Sequence, residues 1–241
     1  MQTKIKLYSF YSPSHERIKD EWFLKTLKDD YEIDIRRCEQ KGSGRYRTKG
    51  WAETILFRED MVIEAIKENW GRIFVYSDID VQFFKKTEPI LVDAINNFDI
   101  VLQKDDPQNN ACLGFFVARA NKETLNFFDL LRKRVLKEGR DQVLANRILK
   151  DYNLAGVISF KNIIKGLFKG LLNRFNYGLL PDVFFSGGTF SGKIWQPGMD
   201  LSIPKDIVLH HANWTVGVDN KILQLKYVKE KSENESTNCL L

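Results

Sequence analysis

Two carboxylates one residue apart, Asp78 and Asp80, end the apolar run Arg72-Ile73-Phe74-Val75-Tyr76-Ser77-Asp78-Ile79-Asp80-Val81. In extended backbone, residues i and i+2 point the same way, so both acids can face one point while Ile79 turns back to the core. Converging carboxylates repel unless a proton or a cation sits between them. Oxygen ligands of this kind suit a hard divalent ion such as Mg²⁺ or Mn²⁺. A lone D-x-D is a weak motif, because a strand-end Asp followed by a turn Asp spells the same pattern. The adjacent pair His210-His211 strengthens it, since residues 207–214 read as a second strand running into a polar site. In extended backbone the two rings point to opposite faces, so at most one reaches the acids.

Other stretches offer groups for a ligand. Residues 8–14 (YSFYSPS) end a first strand, and Tyr8, Ser9 and Tyr11 could stack on a base or bond a ribose. The loop 41–50 (KGSGRYRTKG) carries four cations, among them Lys49, and exposed amides able to hold diphosphate oxygens. It does not spell a phosphate-binding P-loop, and its context is wrong for a dinucleotide fingerprint. Asp141-Gln142 opens a helix, so both side chains lie near a positive helix N-terminus. Asn109-Asn110 stand at the start of an apolar strand, where Asn110 offers an amide. Each has an ordinary structural reading: core aromatics, a solvated loop, a helix cap.

The elements that must position these groups alternate. Strands are expected at 5–11, 31–35, 72–81, 99–102 and 112–118, and helices at 15–27, 51–69, 87–95, 121–136 and 141–149. This order predicts an α/β fold, a mainly parallel central sheet with helices on both faces. Ligands in such sheets bind outside the carboxyl ends of strands, and the acid pair falls near mid-sheet. Beyond residue 155 the alternation is less clean. Residues 160–175 mix apolar side chains with Lys161, Lys165, Lys169 and Arg174. They read as an amphipathic helix over the sheet, or as a basic face for peripheral membrane contact. Residues 229–241 read as a polar flexible tail. The domain proper is expected over 1–228, with a nucleotide-binding half at 1–100 and an acceptor half at 101–228.

Bulk properties narrow the class. A chain of 241 residues with 43% hydrophobic residues builds a substantial core. Net charge is only +5, from 37 basic and 32 acidic residues, which is no nucleic-acid footprint but suits an anionic substrate. Cys38, Cys112 and Cys239 match no zinc or redox spacing and imply a reducing compartment. With no apolar leader and no run long enough to span a bilayer, a cytoplasmic location is expected, with a peripheral place at the inner membrane face as an option.

Taken together, FVYSDIDVQFF at 74–84, NNACLGFFVAR at 109–119, DQVLANRIL at 141–149 and HHANWTVGVDNK at 210–221 resemble the GT-A-fold glycosyltransferases of the nucleotide-diphospho-sugar transferase type. The pieces occur in that family's order over residues 5–225. The resemblance implies a single Rossmann-like GT-A domain. It implies Mn²⁺- or Mg²⁺-dependent sugar transfer from a nucleotide-diphosphate donor to a glycan or lipid-linked acceptor, as in surface polysaccharide assembly. It implies that Asp80 and His211 ligate the metal, with Asp78 on the metal or the ribose. Lys221 would hold the diphosphate, and Asp141 and Gln142 would face the reacting sugar carbon. A D-x-D phosphatase fits poorly, because Gln82 follows the pair and more than seventy residues precede it. A non-catalytic sugar-nucleotide-binding domain is the other alternative.

Overall fold

The computed structural model describes residues 4–40, 49–155, 175–188 and 192–238; of 49, 152–155 and 235–238 it describes the backbone. The first strand, β1 (Lys6–Tyr11), leads into a 3₁₀ turn Pro13–His15, a short helix α1 (Glu16–Ile18) and a π-helical stretch Lys19–Leu24. Then come β2 (Glu32–Arg37), α2 (Lys49–Glu68), β3 (Ile73–Ser77), β4 (Val81–Phe83) and α3 (Glu88–Ala94). The next group is β5 (Ile100–Lys104), β6 (Ala111–Arg119), α4 (Lys122–Glu138) and α5 (Asp141–Ala155). The chain closes with β7 (Tyr177–Leu179), β8 (Phe184–Ser186), β9 (Leu209–His211) and α6 (Val218–Asn238).

Among the described residues, six strands form the main sheet in the order β2-β1-β3-β6-β5-β7. β1 pairs parallel with β2 and β3, and β5 parallel with β7, while β6 runs antiparallel to both its neighbours. The sheet is apolar on both sides, as strands covered on two faces must be. Tyr8, Phe74, Tyr76, Leu102 and Phe116 pack beneath α2, α4 and α5. Leu7, Val75, Val101 and Val117 face the opposite layer, which holds Phe23, Leu91 from α3 and Phe184. Asn121 caps α4 by accepting from the Thr124 amide, and Gly139, at φ 64°, ends it in the left-handed region.

A second sheet of three short strands, β4-β9-β8, was not legible in the sequence. β3 stops at Ser77 and β4 begins at Val81, so the expected single strand 72–81 is two strands in two sheets. β5 runs two residues past the expected strand 99–102 and takes in Gln103 and Lys104. The expected fraying from residue 229 is corrected as well. α6 runs on to Asn238, because Val228 is buried and Lys231 donates to the Asp200 carboxylate and the Leu201 carbonyl. The basic segment 160–175 lies outside the described residues except for Phe175, which stacks on Phe127 at 4.9 Å. The loop 41–48 also lies outside them. Among the described residues, no helix is long and apolar enough to cross a membrane.

Candidate active site at the seam of two sheets

Asp78-Ile79-Asp80 is the link between β3 of the main sheet and β4 of the small one. Ile79 points into the core and is 5% exposed. The two acids turn the other way. They meet His211 at the end of β9, which β4 holds in register through the pairing Val81 with His211. His211 Nε2 lies 3.3 Å from Asp80 Oδ1 and 3.7 Å from Asp78 Oδ2. One ligand atom from each of the three residues falls within 4.8 Å of the others, a donor set of two carboxylate oxygens and one imidazole nitrogen. That set suits a divalent cation such as Mn²⁺ or Mg²⁺.

The other ring nitrogen is already committed. His211 Nδ1 is 3.0 Å from Gln103 Oε1. Gln103 is fully buried, and its amide nitrogen donates to the carbonyls of Phe184 and Phe185. Its oxygen must therefore face the ring as an acceptor. The proton of neutral His211 then sits on Nδ1, and the Nε2 lone pair faces the acids, the tautomer a metal ligand needs. Without a cation, burial opposes a charged ring, but the Asp80 carboxylate outweighs burial and holds His211 well above the usual imidazole value. Burial likewise opposes ionised Asp80, and Lys221 and His211 outweigh it, holding Asp80 well below the usual carboxylate range. Lys221, in the first turn of α6, donates to Asp80 Oδ2 and, at 3.0 Å, to the Ala212 carbonyl.

His210 goes the other way, as alternation demands. Its ring is buried beside Phe185 and bonds Gln82, and burial pushes its pKa down to about 3.

Gly114 lets the acid and the histidine approach. A Cβ there would lie 2.2 Å from His211 Cε1 and 2.7 Å from Asp78 Oδ2. The pairing of β5 with β6 jumps at this point, from Leu102–Phe116 to Gln103–Cys112, and the Gly114 carbonyl accepts from the Asp78 amide at 2.6 Å. A bulge beside a site re-aims the strand, and here it sets the backbone against the acid pair.

Two groups of polar side chains lie toward the start of α5. On one side, Tyr76 donates to Asp78 Oδ1 at 2.8 Å, and buried Arg58 of α2 donates to both Glu59 and Asp141. On the other, Asp105 accepts from Trp214 Nε1 at 2.9 Å and Asn213 Nδ2 at 3.2 Å, with the Gln142 amide beside it. Burial outweighs the lowering by those donors and leaves the Asp105 carboxyl raised to about 6. Asn146 fixes the position of α5 by pairing twice with the Ala111 backbone.

The structure thus brings Asp78, Asp80, His211 and Lys221 together, while Asp141 is bonded to Arg58 and Gln142 lies beside Asp105. Tyr8 is the correction. It is fully buried, points to the α2 side of the sheet, and spends its hydroxyl on Glu68 and Asn69, because strand alternation turns it away from Leu7 and Ser9. Ser9 is buried on the other face and Tyr11 is half-buried under the Lys19 ammonium. Asn110 is tied into its loop by Asp106. Lys49 opens α2, but its side chain lies outside the described residues.

The model of the nucleotide-diphospho-sugar transferase family matches residues 14–225. The chain belongs to this family and is a glycosyltransferase. A crystal structure of a glycosyltransferase involved in the glycosylation of the major capsid of PBCV-1 matches with TM-score 0.55 at 12% identity, over 94% of this chain and 100% of that one. The apo structure of the bifunctional glycosyltransferase WbbM matches with TM-score 0.52 at 11% identity, over 93% of this chain and 50% of that one. At such identities these two likenesses speak for the fold alone, a GT-A α/β domain. A search of curated proteins finds no match.

Four residues of this transferase's site escaped the sequence reading. Gly114 stands inside the quoted motif NNACLGFFVAR, where its lack of a side chain was the available signal. Gln103 and Asp105 follow the expected strand 99–102 with no motif of their own, and Arg58 lies in the expected helix 51–69. Nothing local marks those three.

Proposed function

We propose that this glycosyltransferase moves a sugar from a nucleoside-diphosphate donor to a hydroxyl of a glycan or lipid-linked acceptor, with Mn²⁺ or Mg²⁺ held by Asp78, Asp80 and His211. The observation that carries the reading is the convergence of those three side chains with the His211 tautomer set by Gln103. A cation bound there would take up charge on the departing nucleoside diphosphate.

The chain's own residues supply the rest. Lys221 pairs with Asp80 when no donor is bound, and its ammonium would move to the diphosphate when a donor arrives. Ser9, Tyr11, Asn110 and Lys49 are candidates for the nucleotide and phosphate contacts. Asp141 is held in place by the Arg58 guanidinium, so its carboxylate could face an oxocarbenium-like sugar carbon without having to reorganise. Gln142 offers an amide beside Asp105 for the same sugar or for the acceptor. A cytoplasmic place and a role in surface polysaccharide assembly follow from the sequence reading and stand as part of this proposal.

The test is donor hydrolysis and transfer over a panel of UDP- and GDP-sugars, with and without Mn²⁺. Turnover should depend on the metal and be lost in Asp80→Ala. Metal binding should weaken in His211→Ala and stay near wild type in His210→Ala. Metal-independent turnover, or full activity in Asp80→Ala, would refute the metal assignment.

A further inference from the structure

The third histidine of the chain is not used by the reading above. His15 ends the turn that follows β1, and its amide donates to the Ser12 carbonyl at 2.8 Å. Its Nδ1 lies 2.9 Å from Ser12 Oγ and 3.1 Å from Ser14 Oγ, and those hydroxyls are 3.0 Å apart. Two hydroxyls converging on one ring nitrogen fix the plane of the ring and leave Nε2 as its free end.

The place of this ring in the fold points to the site. β1 and β3 are parallel neighbours, so the turn leaving β1 emerges beside Asp78 at the end of β3. The helical turns after His15 pack Ile18 and Trp22 against Ala212 and Ile222. Those two residues directly follow His211 and Lys221 in the sequence. The turn is thereby held against the same strand end and helix that carry the metal and diphosphate groups. Asp80, Lys221 and Asp78 all act electrostatically on the His15 ring, and burial, the largest influence, favours its neutral form.

A neutral imidazole carries one N–H and one lone pair. A phosphate oxygen only accepts, so it can pair with this ring only if the N–H is at the free end. The seryl hydroxyls permit that: Ser14 donating to Ser12, and Ser12 donating into Nδ1, leaves the proton on Nε2. We propose that His15 is a donor-binding residue, its Nε2–H donating to a diphosphate oxygen of the nucleotide sugar. The inference rests on the proposed function and adds to it a contact set by the Ser12-Pro13-Ser14-His15 turn.

Calorimetry on the full chain tests it, titrating UDP, GDP, CDP, ADP and dTDP with Mn²⁺ saturating and continuing with whichever nucleotide the wild type binds. His15→Ala should weaken that binding about tenfold, the scale of one hydrogen bond to a charged group. His15→Gln, whose amide N–H reaches the place of Nε2, should recover most of the loss. Mn²⁺ affinity without nucleotide and the melting temperature should stay at wild-type values in both variants, which a merely structural turn would not allow. Equal binding by wild type and His15→Ala would overturn the inference while leaving the proposed function standing. Equal weakness of His15→Ala and His15→Gln, or a matching loss of Mn²⁺ affinity, would also overturn it. A wild type that binds none of the five nucleotides would remove the proposed function, and this inference with it.

Discussion

Replacing Gly114 with alanine adds one methyl group at the tightest point of the site. The added carbon would sit 2.2 Å from His211 Cε1, whereas ordinary contact starts near 3.4 Å, so the ring has to withdraw by roughly 1 Å. The ring has little room to do so, because His211 is 2% exposed, paired through its backbone to Val81 and bonded to Gln103. Overpacking of this kind costs about 1–3 kcal/mol. For a chain of this size that lowers the melting temperature by roughly 2–12 °C, a fold weakened but kept. A metal held as proposed would have far less tolerance, since ligand distances must hold within about 0.2 Å. A shift of roughly 1 Å therefore acts as the loss of a ligand, and the same methyl crowds Asp78 at 2.7 Å. Gly114→Ala should weaken Mn²⁺ binding by about 100-fold or more, with transfer activity falling in parallel. Mn²⁺ affinity is read by the loss of free-ion electron paramagnetic resonance signal, and folding by thermal denaturation without metal. A folded Gly114→Ala protein that binds Mn²⁺ as tightly as wild type would refute the claim that Gly114 exists to seat His211 against the acids.

Gln103→Leu removes the acceptor that holds the His211 proton on Nδ1 and should cost about 10–100-fold in Mn²⁺ affinity; no change in a metal titration would show that the tautomer needs no such support. Arg58→Ala leaves Glu59 and Asp141 buried without their cation, a loss of about 3–5 kcal/mol and a melting temperature lower by on the order of 10 °C; a fall under about 2 °C would contradict the buried pairing. Asp105 carries a sign that can be checked by urea unfolding. Its carboxyl is held up at about 6 against an ordinary 3.8, so the folded state binds the proton more tightly. Its contribution is full below about pH 4 and is lost as pH rises through about 6. Relative to Asp105→Asn, wild-type stability should therefore fall by roughly 3 kcal/mol between pH 4 and pH 7, and a difference flat in pH would refute the raised value.

Much of the scaffold is written in local pattern. The apolar runs at β1, β3, β5 and β6 could only be buried strands, and the periodic stretches between them could only be helices covering the sheet. The acid pair was legible because His210-His211 and the other motifs came with it, its own spacing being common. What local pattern misses is pairing between distant segments. β8 is three residues long, too short for any period to show, and it exists as a strand because β9, inside the expected strand 207–214, gives it a partner. Tyr8 was misread for a related reason. A strand-end tyrosine looks available in sequence, and only the position of α2 reveals that Glu68 and Asn69 have taken its hydroxyl.

The second sheet also explains why the site lies where it does. If β3 had continued through Asp80, both acids would have lain on one face of the main sheet, with nothing to bring a histidine 131 residues later in the chain against them. Breaking the strand at Ser77 lets Asp80 pass into a separate sheet whose next strand ends in His211. Gln103 then bridges the two sheets, its backbone in β5 of the large one and its side-chain amide on the carbonyls of β8 in the small one. The distance between acids and histidine is thus set by how the sheets are joined rather than by any one strand. Gln103 occupies that joint and orients the ligand ring at once, so loosening the sheet junction and mis-setting the tautomer are the same physical event. For this reason Gln103→Leu should impair metal binding more than its distance from the acids alone would suggest.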